Sequence, residues 1–497
     1  EYASGLWVDR LHTIDVESRD TAKVNQFYGA LYRASFLPHE MSDVDGDYPE
    51  FSTGVLKMGG ATLSSKGYAV PAYANFKKYG DFSMWDIYRA ELPLYSLITP
   101  KMSGEMMQSL VQMYKEGGWM PIFPCWNSYT AAMIGDHASA ALADAYVKGI
   151  RNFDAEKAYE GMRMNAFSTP YVYKDYQDGK GRRAIKSYID NGYIPLEDMV
   201  EEAFHTNEQT SRTLEYAYDD YAVAQMAKAL LASCKDEAQT KKYQEDYDEL
   251  MRRSENWRNV INPITGWADG RHEDGKWEGN EDLVHRKSYI TEGATCHYTW
   301  YVPQNPEGLF GVIRNSKPMD KSEKLIDKEE KRRLKEGEKI ERNEKVISRL
   351  DKMFDNGWYW HGNEPCHQVA YLYDVAGAPE KTQERVHHIL QTEYNDTPGG
   401  LSGNDDAGQM SAWYVFSAIG FYPVCPGTPY YYIGTPSFDK VTLNLENGKK
   451  FVLTADGVSK DAFYIQKMSL NNKPLDGYKL SHTDILNGGK LNFQMKK

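Results

Sequence analysis

The stretch Arg212–Cys234, RTLEYAYDDYAVAQMAKALLASC, carries apolar side chains three and four positions apart, which is the period of a packed helix. The same spacing recurs on either side of it, at Leu92–Leu97, Met102–Tyr114, Thr130–Val147 and Asp154–Ala166. Another helix is expected over residues 20–36, with Val24, Phe27, Leu31 and Phe36 on its apolar side. Ser103 before Glu105, and Thr382 before Glu384, read as start signals. No exact repeat is visible. Yet helix, loop and helix alternate from about residue 80 to about 420, and that length suits about six helical hairpins closed into an (α/α)6 toroid. Loops between such helices are where chemistry is placed.

The character changes near residue 430. YYYIG, KVTLNL, KFVLTA, FYIQKMSL and KLNFQM are short and β-prone, and Asn-Gly, Asp-Gly and Gly-Gly turns separate them. The expected organisation is therefore mainly α. A helix and loop-rich lead-in spans 1–79, with loops over Pro38–Tyr79. A helical toroid spans 80–429, and a small antiparallel β module spans 430–497. The run KEEKRRLKEGEKIERNEK lies within 317–350 and reads as a solvated helix laced with i,i+4 ion pairs.

Composition narrows the function. Fifty-eight basic residues face 71 acidic ones, for a net charge of −13, and no basic tract with interleaved aromatics occurs. That excludes a nucleic-acid partner and suits a neutral substrate or a bound cation. The aromatic share is 13%, with 37 Tyr and 11 Trp, which is ample for stacking against sugar rings. The five cysteines show no CxxC pair, so neither a zinc site nor a disulfide framework is expected. No run of about 18 apolar residues exists, so no membrane span is expected. The chain opens on Glu1-Tyr2-Ala3-Ser4, without Met or a signal-peptide pattern, as a processed chain or fragment would.

Four segments hold more acids, amides and aromatics than packing asks for. In Gly80–Arg89, Trp85 could stack on a sugar, while Asp86 and Arg89, three apart, could grip hydroxyls. A helix-start ion pair beside a core Trp explains the same residues. In Tyr289-Ile290-Thr291-Glu292-Gly293, followed by His297-Tyr298, apolar neighbours would raise the Glu292 carboxyl and let it serve as a proton donor. A helix N-terminal carboxylate is the plainer role. Trp360-His361-Gly362-Asn363-Glu364-Pro365 offers hard oxygen ligands of the kind Ca²⁺ prefers, or simply a capped turn. Gly399–Gly408 delivers Asp405 and Asp406 side by side before the helix that starts at Gln409. One acid suffices for an N-cap, and two repel unless a cation or proton lies between them. Two carboxylates from different loops, with aromatics and a cation site, point to glycoside hydrolysis.

At these segments the chain resembles glycoside hydrolase family 92, the calcium-dependent exo-acting α-mannosidases. The resemblance covers about residues 75–440. It is carried by DFSMWDIYRAELPLYSLITP, MIGDHASAALADAYVKGI, SRTLEYAYDDYAVAQMAK, HGNEPCHQVAYLYDVAG and GNDDAGQMSAWYVFSAIGFYPV. It implies an (α/α)6 toroid normally preceded by an N-terminal β-sandwich, a piece this chain is expected to lack. It implies hydrolysis of mannose-containing glycans by single displacement with inversion. Glu292 would be the general acid, and Asp406, or its neighbour Asp405, the base. Asn363, Glu364 and Asp405 would hold Ca²⁺. Trp85, Asp86, Arg89, His297 and His361 would contact sugar. The family commonly continues Thr-Glu-Gly with Asn-x-Trp-Gln-Tyr. Here Ala294-Thr295-Cys296-His297-Tyr298 follows, a departure on the leaving-group side. Such enzymes are usually exported, so a periplasmic or extracellular site is expected. Two alternatives stay open. One is an inverting sugar phosphorylase on the same toroid. The other is a glycan-binding protein that has lost activity.

Overall fold

The computed structural model describes residues 2–53, 56–57, 76–200 and 205–497. The loop-rich stretch expected over Pro38–Tyr79 falls partly outside them. The described chain is mostly helical and ends in a strand-rich module.

Helix α1 (Tyr2–Leu11) leads into strand β1 (Ile14–Glu17) and helix α2 (Thr21–Arg33). Asp20 caps α2 by accepting from the Lys23 amide. The helical body then contains α3 (Met84–Ile87), α4 (Glu91–Ile98), α5 (Pro100–Gly117), α6 (Ala138–Val147), α7 (Ala155–Phe167), α8 (Gln209–Leu231) and α9 (Glu237–Arg253). Helix α8 contains the stretch from Arg212. It is buried around most of its circumference and packs on α6, α7 and α9.

Two expectations about helix ends fail. Helix α5 starts at Pro100 rather than near Ser103, because a proline at the first turn loses no hydrogen bond. Ser103 is buried instead, with its hydroxyl against that of Ser96. The helix after Ala378 likewise opens on Pro379, upstream of Thr382. The segment from Thr130 becomes helical only at Ala138. Gly135 there is left-handed, with φ of 81°, and the Asp136 amide bonds to Asp219 rather than into a helix.

The charged run forms α10 (Lys321–Lys335), largely solvated, and α11 (Glu344–Asp355). Arg332 pairs with both Glu329 and Glu336 along it. Glu323 is the exception, since it is buried against Arg349. Helix α12 (Pro379–Thr392) and helix α13 (Gln409–Ile419) complete the body, and α13 packs on α2 and α4.

The C-terminal strands are β2 (Tyr430–Ile433), β3 (Lys440–Asn444), β4 (Lys450–Asp456), β5 (Tyr464–Leu470), β6 (Lys473–Pro474), β7 (Lys479–Ser481) and β8 (Gly489–Lys496). The main sheet runs β1-β3-β4-β8-β5-β6. It is antiparallel except for the β4–β8 pair. Its register sets Val16 beside Val441, Leu443 beside Phe451 and Leu453 beside Leu491. Phe451, Leu453 and Ala455 alternate inward along β4, as the period of a strand requires. One apolar core fills the helical body, and a second joins α2, α4 and α13 to the sheet. All five cysteines are free. Among the described residues, no helix is long and apolar enough to cross a membrane.

Candidate active site

A cavity of about 960 Å³ opens where four loops of the helical body converge. Trp85 and Asp86 enter it from α3. Glu292 and Arg286 come from the loop after α9. Trp360 and Asn363 come from the loop after α11, and Asn404 and Asp406 from the glycine loop before α13. Gly403 lets the last two loops touch, since a Cβ there would sit 2.6 Å from the Gly362 carbonyl oxygen.

Asp86, Glu364 and Asp406 meet at the cavity. Each offers a carboxylate oxygen within 4.8 Å of the others. The Ser83 hydroxyl donates to Asp86 at 2.6 Å. Both Glu364 oxygens are buried and meet hydrogen-bond geometry with no protein group. Burial pushes Asp86 up to about 7, with Asp406 and Glu292 adding to the rise while Ser83 and Arg89 oppose it. Burial pushes Glu364 well above its ordinary range, and Asp86 and Asp406 push the same way. Asp406 is raised by burial too, against the pull of its close approach to Glu364. Such a trio holds extra protons or binds a cation. Carboxylate oxygens alone, without Cys or His, are a donor set that fits Ca²⁺.

The adjacent acids of the glycine loop divide their work. Asp405 turns back to α13, accepting from the Ser411 amide at 2.9 Å, and so satisfies one amide of its first turn, while Gly408 is the N-cap residue. Asp406 turns to the cavity. Its φ is 44° and that of Ala407 is 59°, left-handed values that a side chain rarely adopts and that a functional loop can impose. Glu292 shares this conformation, with φ of 49°. It is anchored on both flanks. The Thr291 amide donates to Ser211 on α8, and the Asn363 side-chain amide donates to the Glu292 carbonyl. Burial raises the Glu292 carboxyl above the usual 4.5, His205 opposes, and Asp406 raises it further.

Other expected contacts lie elsewhere. Arg89 is buried behind the cavity. Its Nε donates to the Trp85 carbonyl, and its guanidinium lies 4.8 Å from the rings of Trp85 and Tyr88. It braces Trp85 and does not line the cavity. His361 is buried between the hydroxyls of Tyr359 and Tyr394. His297 accepts from the Ala294 amide and donates to the Trp358 carbonyl, so its two ring nitrogens serve the loop. Asn363 lines the cavity, but its Oδ1 is taken by the Glu364 amide. Asp86, read as a sugar contact, belongs with the acid trio.

Sequence reasoning overlooked Trp126, Trp360 and Arg286 on the cavity wall. Trp360 stood in a quoted segment, and Trp126 sits in a Pro-Cys-Trp-Asn turn. It also overlooked Glu215, which holds the Trp85 Nε1 proton at 2.9 Å and the Tyr298 hydroxyl at 2.9 Å.

Comparison with known proteins settles the lineage. The family model described as the glycosyl hydrolase family 92 catalytic domain matches residues 1–497. The chain belongs to glycosyl hydrolase family 92. Among relatives of this family 92 chain is a protein of Arthroderma benhamiae named as an uncharacterized secreted glycosidase. It is 30% identical over 430 residues, which is 82% of this chain and 51% of the relative. The chain thus spans about half the length of that relative. A family GH92 α-mannosidase from Bacteroides thetaiotaomicron superposes with a TM-score of 0.80 at 33% identity, over 99% of this chain and 57% of the other. An inverting family GH92 mannosidase from the same organism gives 0.82 at 31%, over 100% and 62%. The mostly helical body with its terminal sheet is therefore shared with the matching part of solved family 92 mannosidases.

Proposed function

We propose that this family 92 chain is the catalytic part of a glycoside hydrolase that removes terminal α-linked mannose from glycans by calcium-dependent single displacement with inversion. The single observation that carries the reading is the convergence of Glu292, Asp86 and Asp406 on one cavity, with the buried Glu364 offering a carboxylate oxygen within 4.8 Å of those of the two aspartates. Both Glu292 and Asp406 project from strained backbone that neighbouring loops hold in place.

In this reading Glu292 is the proton donor, its carboxyl raised above the ordinary value first by burial and then by Asp406. It gives that proton to the glycosidic oxygen as the bond to the anomeric carbon breaks. Asp406 takes a proton from the water whose oxygen forms the new bond to that carbon. Water ends on the face opposite the departing group, and the leaving sugar departs as a neutral alcohol. Trp85 forms part of the wall beside the terminal sugar, braced by Arg89 beneath and by Glu215 at its indole N–H. Asp86, Glu364 and Asp406 would hold calcium, which supplies fixed positive charge for sugar hydroxyls.

Three further features belong to the same reading. The helices close as an (α/α)6 toroid, a β-sandwich module supplies the other wall of the cavity, and the enzyme works in the periplasm or outside the cell. A relative described as an inverting mannosidase supports inversion, and one solved in complex with mannoimidazole supports a mannose-type substrate. The relative named as a secreted glycosidase supports export.

The test is a panel of α1,2-, α1,3-, α1,4- and α1,6-mannobiose, with and without EDTA. Free mannose should appear from at least one linkage, first as the β anomer by NMR. EDTA should suppress it and Ca²⁺ restore it. Intact protein with calcium that releases mannose from none of the four overturns the reading. Turnover indifferent to EDTA removes the metal from it.

A further inference from the structure

An arginine keeps its charge at any pH a protein meets. One that folding takes out of water therefore needs acceptors for its N–H groups and a negative charge beside it. Arg89 is 4% exposed and has neither in full. Its Nε donates to the Trp85 carbonyl, but Nη2 is buried with no acceptor, and no carboxylate pairs with the guanidinium among the described residues. Glu215 is the acid in range, and its oxygens already serve Trp85, Tyr298 and His137. The rings of Trp85, Tyr88 and Tyr301 lie 4.8, 4.8 and 5.4 Å from the guanidinium carbon. They offset part of the charge, yet a ring face gives no oxygen to an N–H.

A small chamber lies against this arginine. It shares no lining residue with the cavity of Glu292 and Asp406. The other polar side chains that face it bring more donors. Gln368, 5% exposed, has its Nε2 buried without an acceptor. Tyr88 and Tyr301 bond hydroxyl to hydroxyl, which uses one of their two O–H protons and leaves the other to point elsewhere. Nearby main-chain acceptors are engaged. The Tyr422 carbonyl accepts from the Val424 amide, and the Pro426 carbonyl from the Tyr218 hydroxyl. Turning the Gln368 amide over would exchange one donor for one acceptor, and would still leave the charge of Arg89 unmatched.

The surplus is thus of donors and of positive charge. The free volume is about 10 Å³, which is about what one water-sized sphere occupies and too little for a phosphate or a carboxylate. Water fits that volume, but it brings two protons of its own to a wall short of acceptors. A monatomic anion brings the missing charge and only accepts.

We propose that this chamber is a buried halide site, filled by chloride, with Arg89, Gln368 and the Tyr88–Tyr301 pair as its donors. The ion completes the guanidinium that braces Trp85 and so holds that brace in place. The site is independent of the reaction proposed above.

The test uses the intact protein. Crystals grown with sodium bromide in place of chloride, measured at the bromine absorption edge, should show an anomalous peak between Arg89 and Gln368. A chamber that holds water only overturns the site. In solution, chloride replacing gluconate at constant ionic strength should raise the thermal midpoint by about 1–3 °C for each tenfold step once the site begins to fill. A bromide peak without that rise is binding at crystal concentration only, and it also overturns the proposal. Gln368→Leu removes a donor and should raise the chloride needed for half the effect about tenfold. Gln368→Glu builds a carboxylate into the wall. Its midpoint in gluconate should exceed that of the wild type, and chloride should add nothing to it. A chloride response of equal size in Gln368→Glu is a general salt effect and overturns the proposal.

Discussion

Asp86 and Asp406 line one cavity with Glu364 buried beside them, and none of the three forms an ion pair among the described residues. Deeper in the same helical body, Asp136, Glu215, Asp219 and Asp220 are just as buried, yet each is matched. Arg182 pairs with Asp136 at 2.9 Å and Asp220 at 2.6 Å, and Arg253 pairs with Asp220 at 2.8 Å. His137 lies between Asp219 at 2.8 Å and Glu215 at 3.3 Å. Burial alone would strip the His137 proton, but the two carboxylates outweigh it and hold that proton up to about 9. The difference teaches how to read buried charge here. A matched network offsets its own desolvation and fixes the packing of α6 against α8. An unmatched trio is kept only where something from solution completes it. The two regions touch through Trp85, whose ring lines the cavity and whose N–H ends on Glu215.

The contrast can be broken experimentally. The largest effect is expected on the cavity side. Glu292→Gln should lower kcat by about 10²–10⁴-fold while leaving thermal unfolding in place, since the amide keeps the shape and loses the proton. Near wild-type mannose release would remove Glu292 from its role. On the network side, Asp220→Asn leaves two buried guanidinium groups short of a partner. Denaturant unfolding should show a loss of about 3–5 kcal/mol, with or without calcium. A neutral outcome would mean that the network is not what fixes the core.

A smaller effect follows from His137. Its folded pKa is raised, so its contribution is fully present below pH 6.5 and is lost as pH rises through about 9. Stability should fall across that window by on the order of 3 kcal/mol, and His137→Gln should flatten the slope. The smallest shift sharpens the comparison most. Calcium at about one hundred times its dissociation constant should stabilise the wild type by about 2.7 kcal/mol. Glu364→Gln should abolish that gain, and Asp220→Asn should keep it. Equal loss of the gain in both variants would erase the distinction between the regions.

Much of this was legible residue by residue. Asp20 and Asp154 cap the helices that their spacing announced, because a cap is a bond between neighbours three positions apart. The strands of the terminal module fall where β-prone runs and Gly turns put them. The surplus acid of the Asp405–Asp406 pair was also visible as a surplus. Which of the two turned back to the helix was not visible, because that turns on backbone torsions near 44° and 59° in a loop pressed against Gly362. His297 and His361 looked like site residues from their company in sequence. Their ring nitrogens are satisfied by Trp358, Tyr359 and Tyr394, partners that only the folded chain brings up.

By itself, then, the sequence determined the periods, the turn chemistry and the family, all of which are written in residues close together along the chain. Only the tertiary structure decided that Ile14–Glu17 would complete a sheet with Lys440–Asn444. It alone decided that Asp86 would join Glu364 and Asp406, and that Trp126 and Trp360 would share a rim. The physical reason is that charge compensation, burial and exposure are properties of neighbours in space. A local pattern sets which way a side chain points from its own helix or loop, but not what stands opposite when the loops converge.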